Sequence, residues 1–157
     1  SKAFEVVVFG GEDDLIARTI FENAPIGIES YGDVSKVVTD TEGNPQVVRF
    51  SRPTNVFIHV TCVYKDYSEE KTSVTTATAI RNAILSHGNS LPVGKDVIPQ
   101  RFLGGIYNTT SGVGEVTITL SKSYDGILVN PFTASVLEVD RRELPNFRED
   151  LITVTKV

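Results

Sequence analysis

Val56-Phe57-Ile58-His59-Val60-Thr61-Cys62-Val63-Tyr64-Lys65 is the stretch on which the fold turns. Side chains along a strand alternate between two faces. Val56, Ile58, Val60, Cys62 and Tyr64 therefore share one side, and Phe57, His59, Thr61, Val63 and Lys65 share the other. Both sides carry apolar groups, which predicts a central strand covered on two faces.

Toward the C-terminus, Asp66–Lys71 is a polar break, and Glu69-Glu70 suit the start of a helix. Val74, Ala77, Ile80, Ala83 and Ile84 then recur at helical spacing, predicting a helix of roughly 16 residues that ends at His87-Gly88. Thr72, Thr75, Thr76 and Thr78 are poor helix formers, so this helix needs a sheet to pack on. Leu91-Pro92-Val93-Gly94 is a loop, and Pro99 opens a second helix through Phe102, Leu103, Ile106 and Tyr107. Gly104-Gly105 either shorten that helix or bring it close to another backbone. A strand over Glu115–Lys122 follows, then a loop over Tyr124–Phe132. Two further strands are expected near 134–140 and 151–157, separated by Leu144-Pro145-Asn146.

Toward the N-terminus, Phe4–Phe9 reads as a buried strand ended by Gly10-Gly11. Asp13 and Asp14 sit where a helix start favours carboxylates, and Leu15, Ile16, Ile20 and Phe21 mark a helix stopped by Ala24-Pro25. Val34–Thr41 and Gln46–Arg52 flank the turn cluster Glu42-Gly43-Asn44-Pro45, the signature of a hairpin. Val48 and Phe50 share one face of it, and Arg49 and Ser51 the other. Strands bunched around helices, without strict alternation, make the fold class α+β. Two small mixed sheet-plus-helix subdomains are expected, in the order β-α-β-β then β-α-α-β-β-β. With a boundary near Pro53-Thr54, residues 1–54 form the first, continuing a missing upstream domain, and residues 55–157 form the second.

Composition narrows the function. Forty per cent hydrophobic and 22% charged residues describe a globular chain, neither disordered nor membrane-spanning. A net charge of −5, with 15 basic and 20 acidic residues dispersed along the chain, disfavours a nucleic-acid partner, which needs a dense basic surface. Methionine is absent and the chain opens on Ser1, so it is expected to be a piece of a longer protein. The single Cys62 excludes an internal disulfide framework.

Sites for chemistry were sought and discounted. Gly10-Gly11 precedes a helix, but Glu12-Asp13-Asp14 would repel a phosphate, and a helix cap is the better reading. Gly88 to Gly94-Lys95-Asp96 mimics a Walker loop with one residue too many, and Asp96 stands where Ser or Thr is required. Gly112-Val113-Gly114 lacks a third glycine and leads into a strand. His59 and Cys62, three apart on a strand, point to opposite faces, and Cys62 reads as a packed thiol. No metal or cofactor is expected, and no catalytic residue. Arg49, Arg52, Arg141 and Arg142 are the charges of most interest. The planar guanidinium makes paired hydrogen bonds and stacks on rings, so these four are candidate interface residues, weighed against ordinary solvated arginines.

Two stretches carry a resemblance. Val8-Phe9-Gly10-Gly11-Glu12-Asp13-Asp14-Leu15-Ile16-Ala17 with Pro25-Ile26-Gly27-Ile28-Glu29-Ser30-Tyr31-Gly32-Asp33 resembles a segment of phage baseplate J-like proteins, components of the contractile-tail baseplate wedge. Val38-Thr39-Asp40 through Gly43-Asn44-Pro45 to Val48-Arg49-Phe50-Ser51-Arg52-Pro53 is similar to the family's next block. Gly94-Lys95-Asp96-Val97-Ile98-Pro99 and Asp150-Leu151-Ile152-Thr153-Val154 look like its C-terminal part. The resemblance implies a structural, non-enzymatic protein of the virion, assembled in the host cytoplasm. Its implied partners are other wedge subunits, in a homodimer or ring, with no nucleic acid and no membrane. The alternative is a small-ligand or carbohydrate-binding α+β domain of a tail or cell-surface protein, using the loops Tyr124–Phe132 and Asn108–Gly114. A hydrolase with carboxylates assembled in space ranks third.

Overall fold

A computed structural model describes residues 2–67, 69–128 and 130–157. Ser1, Ser68 in the expected polar break and Val129 in the expected loop lie outside the described residues. The fold is α+β, and the chain divides into two compact units, Ser1–Thr54 and Asn55–Val157.

The first unit contains β1 (Ala3–Glu5), α1 (Asp13–Asn23), β2 (Glu29–Tyr31), β3 (Val34–Thr39) and β4 (Pro45–Phe50). Strands β3 and β4 form the expected antiparallel hairpin, with Val37 opposite Val47 and Lys36 opposite Val48. Asp40 closes its turn. The Asp40 carboxylate accepts from the backbone N–H of Asn44, the side-chain amide of Gln46 and the backbone N–H of Glu42, and these bonds hold it below the usual carboxylate range. The inner face of the hairpin packs Val38, Val48 and Phe50 with Ala17 of α1, and Ile16, Ile20 and Phe21 border this core.

Two details depart from the sequence reading. The strand expected over Phe4–Phe9 is split: β1 pairs in parallel with β2, which the sequence reading lacks, and Val7 then bridges to Ser51. Ser51 is buried, not on a polar face, because its hydroxyl donates to Glu5 Oε1 at 2.7 Å. Gly32 lies so close to the backbone of Phe50 that a Cβ there would overlap it.

The second unit contains β5 (Thr54–Asp66), α2 (Thr76–Gly88), a 3-10 turn (Pro99–Phe102), α3 (Leu103–Thr109), β6 (Val113–Ser123) and β7 (Glu143–Lys156). Strand β5 is central in the order β6-β5-β7, as its two apolar faces lead one to expect, and it runs antiparallel to β6. Its even-numbered side, Val56 to Tyr64, is buried against Ile80 and Ile84 of α2, Phe102, Ile106 and Phe147. Gly88 ends α2 directly against the Phe147 ring, leaving no room for a Cβ.

Helix α2 begins later than Glu69-Glu70. The Asp66 carboxylate captures both the backbone N–H and the hydroxyl of Thr72, and Ser73 and Thr76 bond reciprocally. These side-chain bonds hold the segment in a turn, as threonine-rich sequence permits. Val74 precedes the helix and is fully exposed, so the buried line is Thr76, Ile80, Ile84 and Gly88.

Of the two strands expected near 134–140 and 151–157, the second is β7, which begins already at Glu143, while 134–140 contributes only a bridge from Leu137 to Val97. Pro145 does not break β7. Glu143 O accepts from Gly94 N–H, and Phe147 N–H donates to Asn89 Oδ1, so this parity faces the outer edge, where a missing N–H disturbs no ladder bond.

Candidate interaction surfaces

Of the four arginines singled out, Arg52 is a clamp inside the first unit. Gly10 and Gly11 both adopt the left-handed conformation, with φ of 72° and 77°, and curl the chain so that several carbonyls converge. The Arg52 guanidinium donates to the carbonyls of Val8 at 3.1 Å, Gly10 at 2.6 Å and Gly11 at 2.9 Å, and pairs with Asp13 at 2.6 Å. It also lies over the Phe50 ring, 5.4 Å from the centroid. A guanidinium with its donors so engaged is a tie between the glycine turn and the hairpin. The acidic pair contributes too: Lys36 reaches Asp14 at 3.3 Å.

Arg49 is different. It stands exposed on the outer hairpin face, opposite Ser35, and lines an open groove of about 740 Å³. Phe4, Ile20, Phe21 and Ile28 line the same groove, and Ile26, wholly exposed, borders it. Next to Arg49, Val37 and Val47 face each other across the hairpin at 66% and 61% exposure, an apolar pair turned to solvent.

Arg141 and Arg142 occupy the turn that leads into β7. The Asp140 carboxylate accepts from Arg142 N–H at 2.9 Å, and Glu143 N–H donates to Asp140 O at 2.9 Å. Gly94, with φ of 74°, lies against the Arg141 backbone, and its N–H bonds to Glu143 O. The Walker-like stretch is thus a backbone junction. Gly112 plays a similar part, packed on the backbone of Lys71 and Thr72, with its carbonyl accepting from Tyr67 N–H.

The segment before that turn displays a second apolar surface. Tyr124, Ile127, Leu128, Phe132 and Val136 are 61%, 64%, 44%, 38% and 47% exposed. The segment is tied down at several points. Asn130 donates to Lys122 O and accepts from Ser121 Oγ, and Thr133 and Leu120 exchange both backbone bonds at 2.8 Å. Isolated exposed apolar groups are ordinary, but five exposed within one anchored segment of 13 residues are a concentration. The loop expected over Tyr124–Phe132 places four of them at the surface, whereas Val136 falls in an expected strand and its apolar character reads as core. The loops Tyr124–Phe132 and Asn108–Gly114, considered together for a ligand site, flank opposite ends of β6, roughly 33 Å apart for an 11-residue strand.

His59 and Cys62 do point to opposite faces. Cys62 is fully buried in the core, and burial pushes its thiol up to about 11. His59 Nε2 lies 2.7 Å from Ser123 Oγ. Burial lowers the imidazole below its ordinary value. The charges of Asp150 and Asp125 oppose that shift, and that of Arg148 adds to it. A histidine beside a serine invites a nucleophile reading, but the two residues are only 6% and 2% exposed, so the hydroxyl meets no substrate. The pair instead satisfies two buried polar groups.

Among the described residues no three His, Cys, Asp or Glu side chains gather to hold a metal, and no helix is long and apolar enough to cross a membrane. Comparison with known proteins finds no matching family model and no curated relative.

Proposed function

We propose that this chain is a structural module of a phage or prophage contractile-tail baseplate wedge, acting by presenting folded surface to other subunits and not by catalysis. One observation carries the reading: five large apolar side chains stand exposed on a segment held by backbone and side-chain bonds. A surface fixed before contact loses less conformational entropy on association than a mobile one. The adjoining turn with Arg141 and Arg142 supplies a polar rim of the kind that surrounds apolar interface centres.

The resemblance to baseplate J-like proteins adds support at the first unit. Its two most specific blocks are the glycine turn with its acidic pair and the hairpin ending in Arg52. These are the two pieces that Arg52 ties together. On this reading the chain belongs in the virion tail, with other wedge subunits and copies of itself as partners.

Sedimentation at several protein concentrations tests the proposal. Reversible association is expected, weakened by Leu128→Asp and by combined Arg141→Glu and Arg142→Glu. A wild-type chain that stays monomeric at all concentrations and joins no wedge subunit would overturn the reading.

A further inference from the structure

A strand edge in the first unit opens onto a groove suited to a further strand. Two hydrogen bonds fix the phase of the hairpin ladder. Asp40 N–H donates to Asn44 O at 2.9 Å, just beyond the Thr39–Pro45 pair. Arg49 N–H points away from β3 and donates to Ser30 Oγ at 2.9 Å. Opposed residues in an antiparallel pair alternate between hydrogen-bonded and non-bonded positions. Thr39–Pro45, Val37–Val47 and Ser35–Arg49 are therefore non-bonded pairs, and the N–H and C=O of Val47 face away from β3. Pro45, which has no N–H, falls in the same phase and leaves the ladder intact.

On that far side, Ser51 is satisfied by the backbone of Val6 and Val8, and Arg49 by Ser30. At Val47 the groove opens instead. Among the described residues, neither backbone group of Val47 finds a partner there. Phe4, Phe21 and Ile28 line the space together with the polar Glu29, Ser30 and Gln46, Ile26 is bare at its border, and the guanidinium of Arg49 has no ion pair among the described residues.

We propose that this groove receives an extended peptide segment of a partner protein, added as a strand against Val47. Alternate apolar side chains of the segment would lie on Phe4, Phe21 and Ile26, and one of its carboxylates on Arg49. An unpaired N–H and C=O on a strand edge call for another backbone, and the apolar part of the mixed lining for side chains on one face of it. Arg49 then selects an acidic residue through a charge-assisted bond. The inference rests on the assembly reading and names the partner chemistry at one of its surfaces.

A random-peptide display library panned on the whole chain tests it. Enriched sequences are expected to alternate apolar and polar residues and to carry an acidic one. Val47→Pro removes a single outward N–H without touching the ladder, and should weaken the enriched peptides by roughly threefold to tenfold. Arg49→Glu, at an exposed site, should weaken them similarly and favour peptides in which lysine replaces the acid. No enrichment, or enriched peptides that bind both variants as tightly as wild type, overturns the proposal. Sedimentation separates the two readings. Self-association without peptide enrichment leaves assembly to the Tyr124–Val136 surface, and peptide binding by a strict monomer leaves the groove standing alone.

Discussion

Asp66 shows how one side chain sets a local boundary. Its carboxylate accepts from the backbone and hydroxyl of Thr72 and from Lys156 Nζ at 2.9 Å, joining the end of β5, the approach to α2 and the end of β7. Bonds from Thr72 and Lys156 stabilise the ionised form and hold the group at about 2, against an ordinary 3.8. A carboxylate lowered on folding stabilises the folded state above its unfolded value, and that contribution fades as pH falls from about 4 toward about 2. Asp66→Asn should therefore be less stable than wild type near neutral pH, and the gap should close across that acid window. Urea unfolding of both proteins at a series of pH values checks this, and a gap independent of pH would show that the ionised form does not matter. Little of this network is legible in sequence, because Asp66 meets Thr72 only through the turn between them and Lys156 only through the sheet. Arg52 makes the same point. Its residue type points to paired hydrogen bonds, but the convergence of three carbonyls and Asp13 on it comes only from the glycine turn.

Elements with an unambiguous period were readable, and those governed by backbone parity were not. Strand β5 follows from alternation on two apolar faces, and the β3–β4 hairpin from its turn residues and Val-rich flanks. Strand β7 runs through Leu144-Pro145-Asn146, which the sequence reading places between strands because proline is ordinarily a strand breaker, and the outward parity of Pro145 explains its presence. Burial also slips by one residue along β7, from Phe147 to Ile152, which hides the alternation as a bulge does. Edge protection accounts for some of its sequence: Arg81 donates to Ile152 O, and Arg148, Glu149 and Asp150 are exposed charges on an outer strand. Helix α2 gives the sharpest test at this scale. Helical spacing groups Val74 with Ile80 and Ile84, whereas only the latter two reach the core. Ile80→Ala should cost about 2–5 kcal/mol through the buried methyls removed and the cavity left behind, while Val74→Ala should change stability by less than about 0.5 kcal/mol. Denaturant midpoints of the two variants decide it. Comparable losses at both sites would mean that Val74 lies within the helix core after all.

At the scale of the molecule, the two units differ in how much apolar surface each can bury. Among the described residues, fifteen buried side chains make up the core of the second unit, from Val56 in β5 to Ile152 in β7. The first unit has four, Ala17, Val38, Val48 and Phe50, bordered by half-buried groups and opened by the groove beside β4. Small domains bury a lower fraction of their surface on folding, so stability falls steeply near this size. Tying devices in the first unit fit that shortage: the Arg52 clamp, the Ser51–Glu5 bond and the Lys36–Asp14 pair each join segments distant in sequence. Such polar ties hold geometry better than they supply stability, since exposed ion pairs contribute roughly 0–1 kcal/mol. Residues 55–157 expressed alone should accordingly unfold in one cooperative urea transition, with well-dispersed amide resonances. Residues 1–54 alone should show a shallow transition or none. If the shorter piece unfolds as cooperatively as the longer, core size does not rank the two units. If the longer piece fails to fold, its fifteen-residue core is insufficient without the rest of the chain.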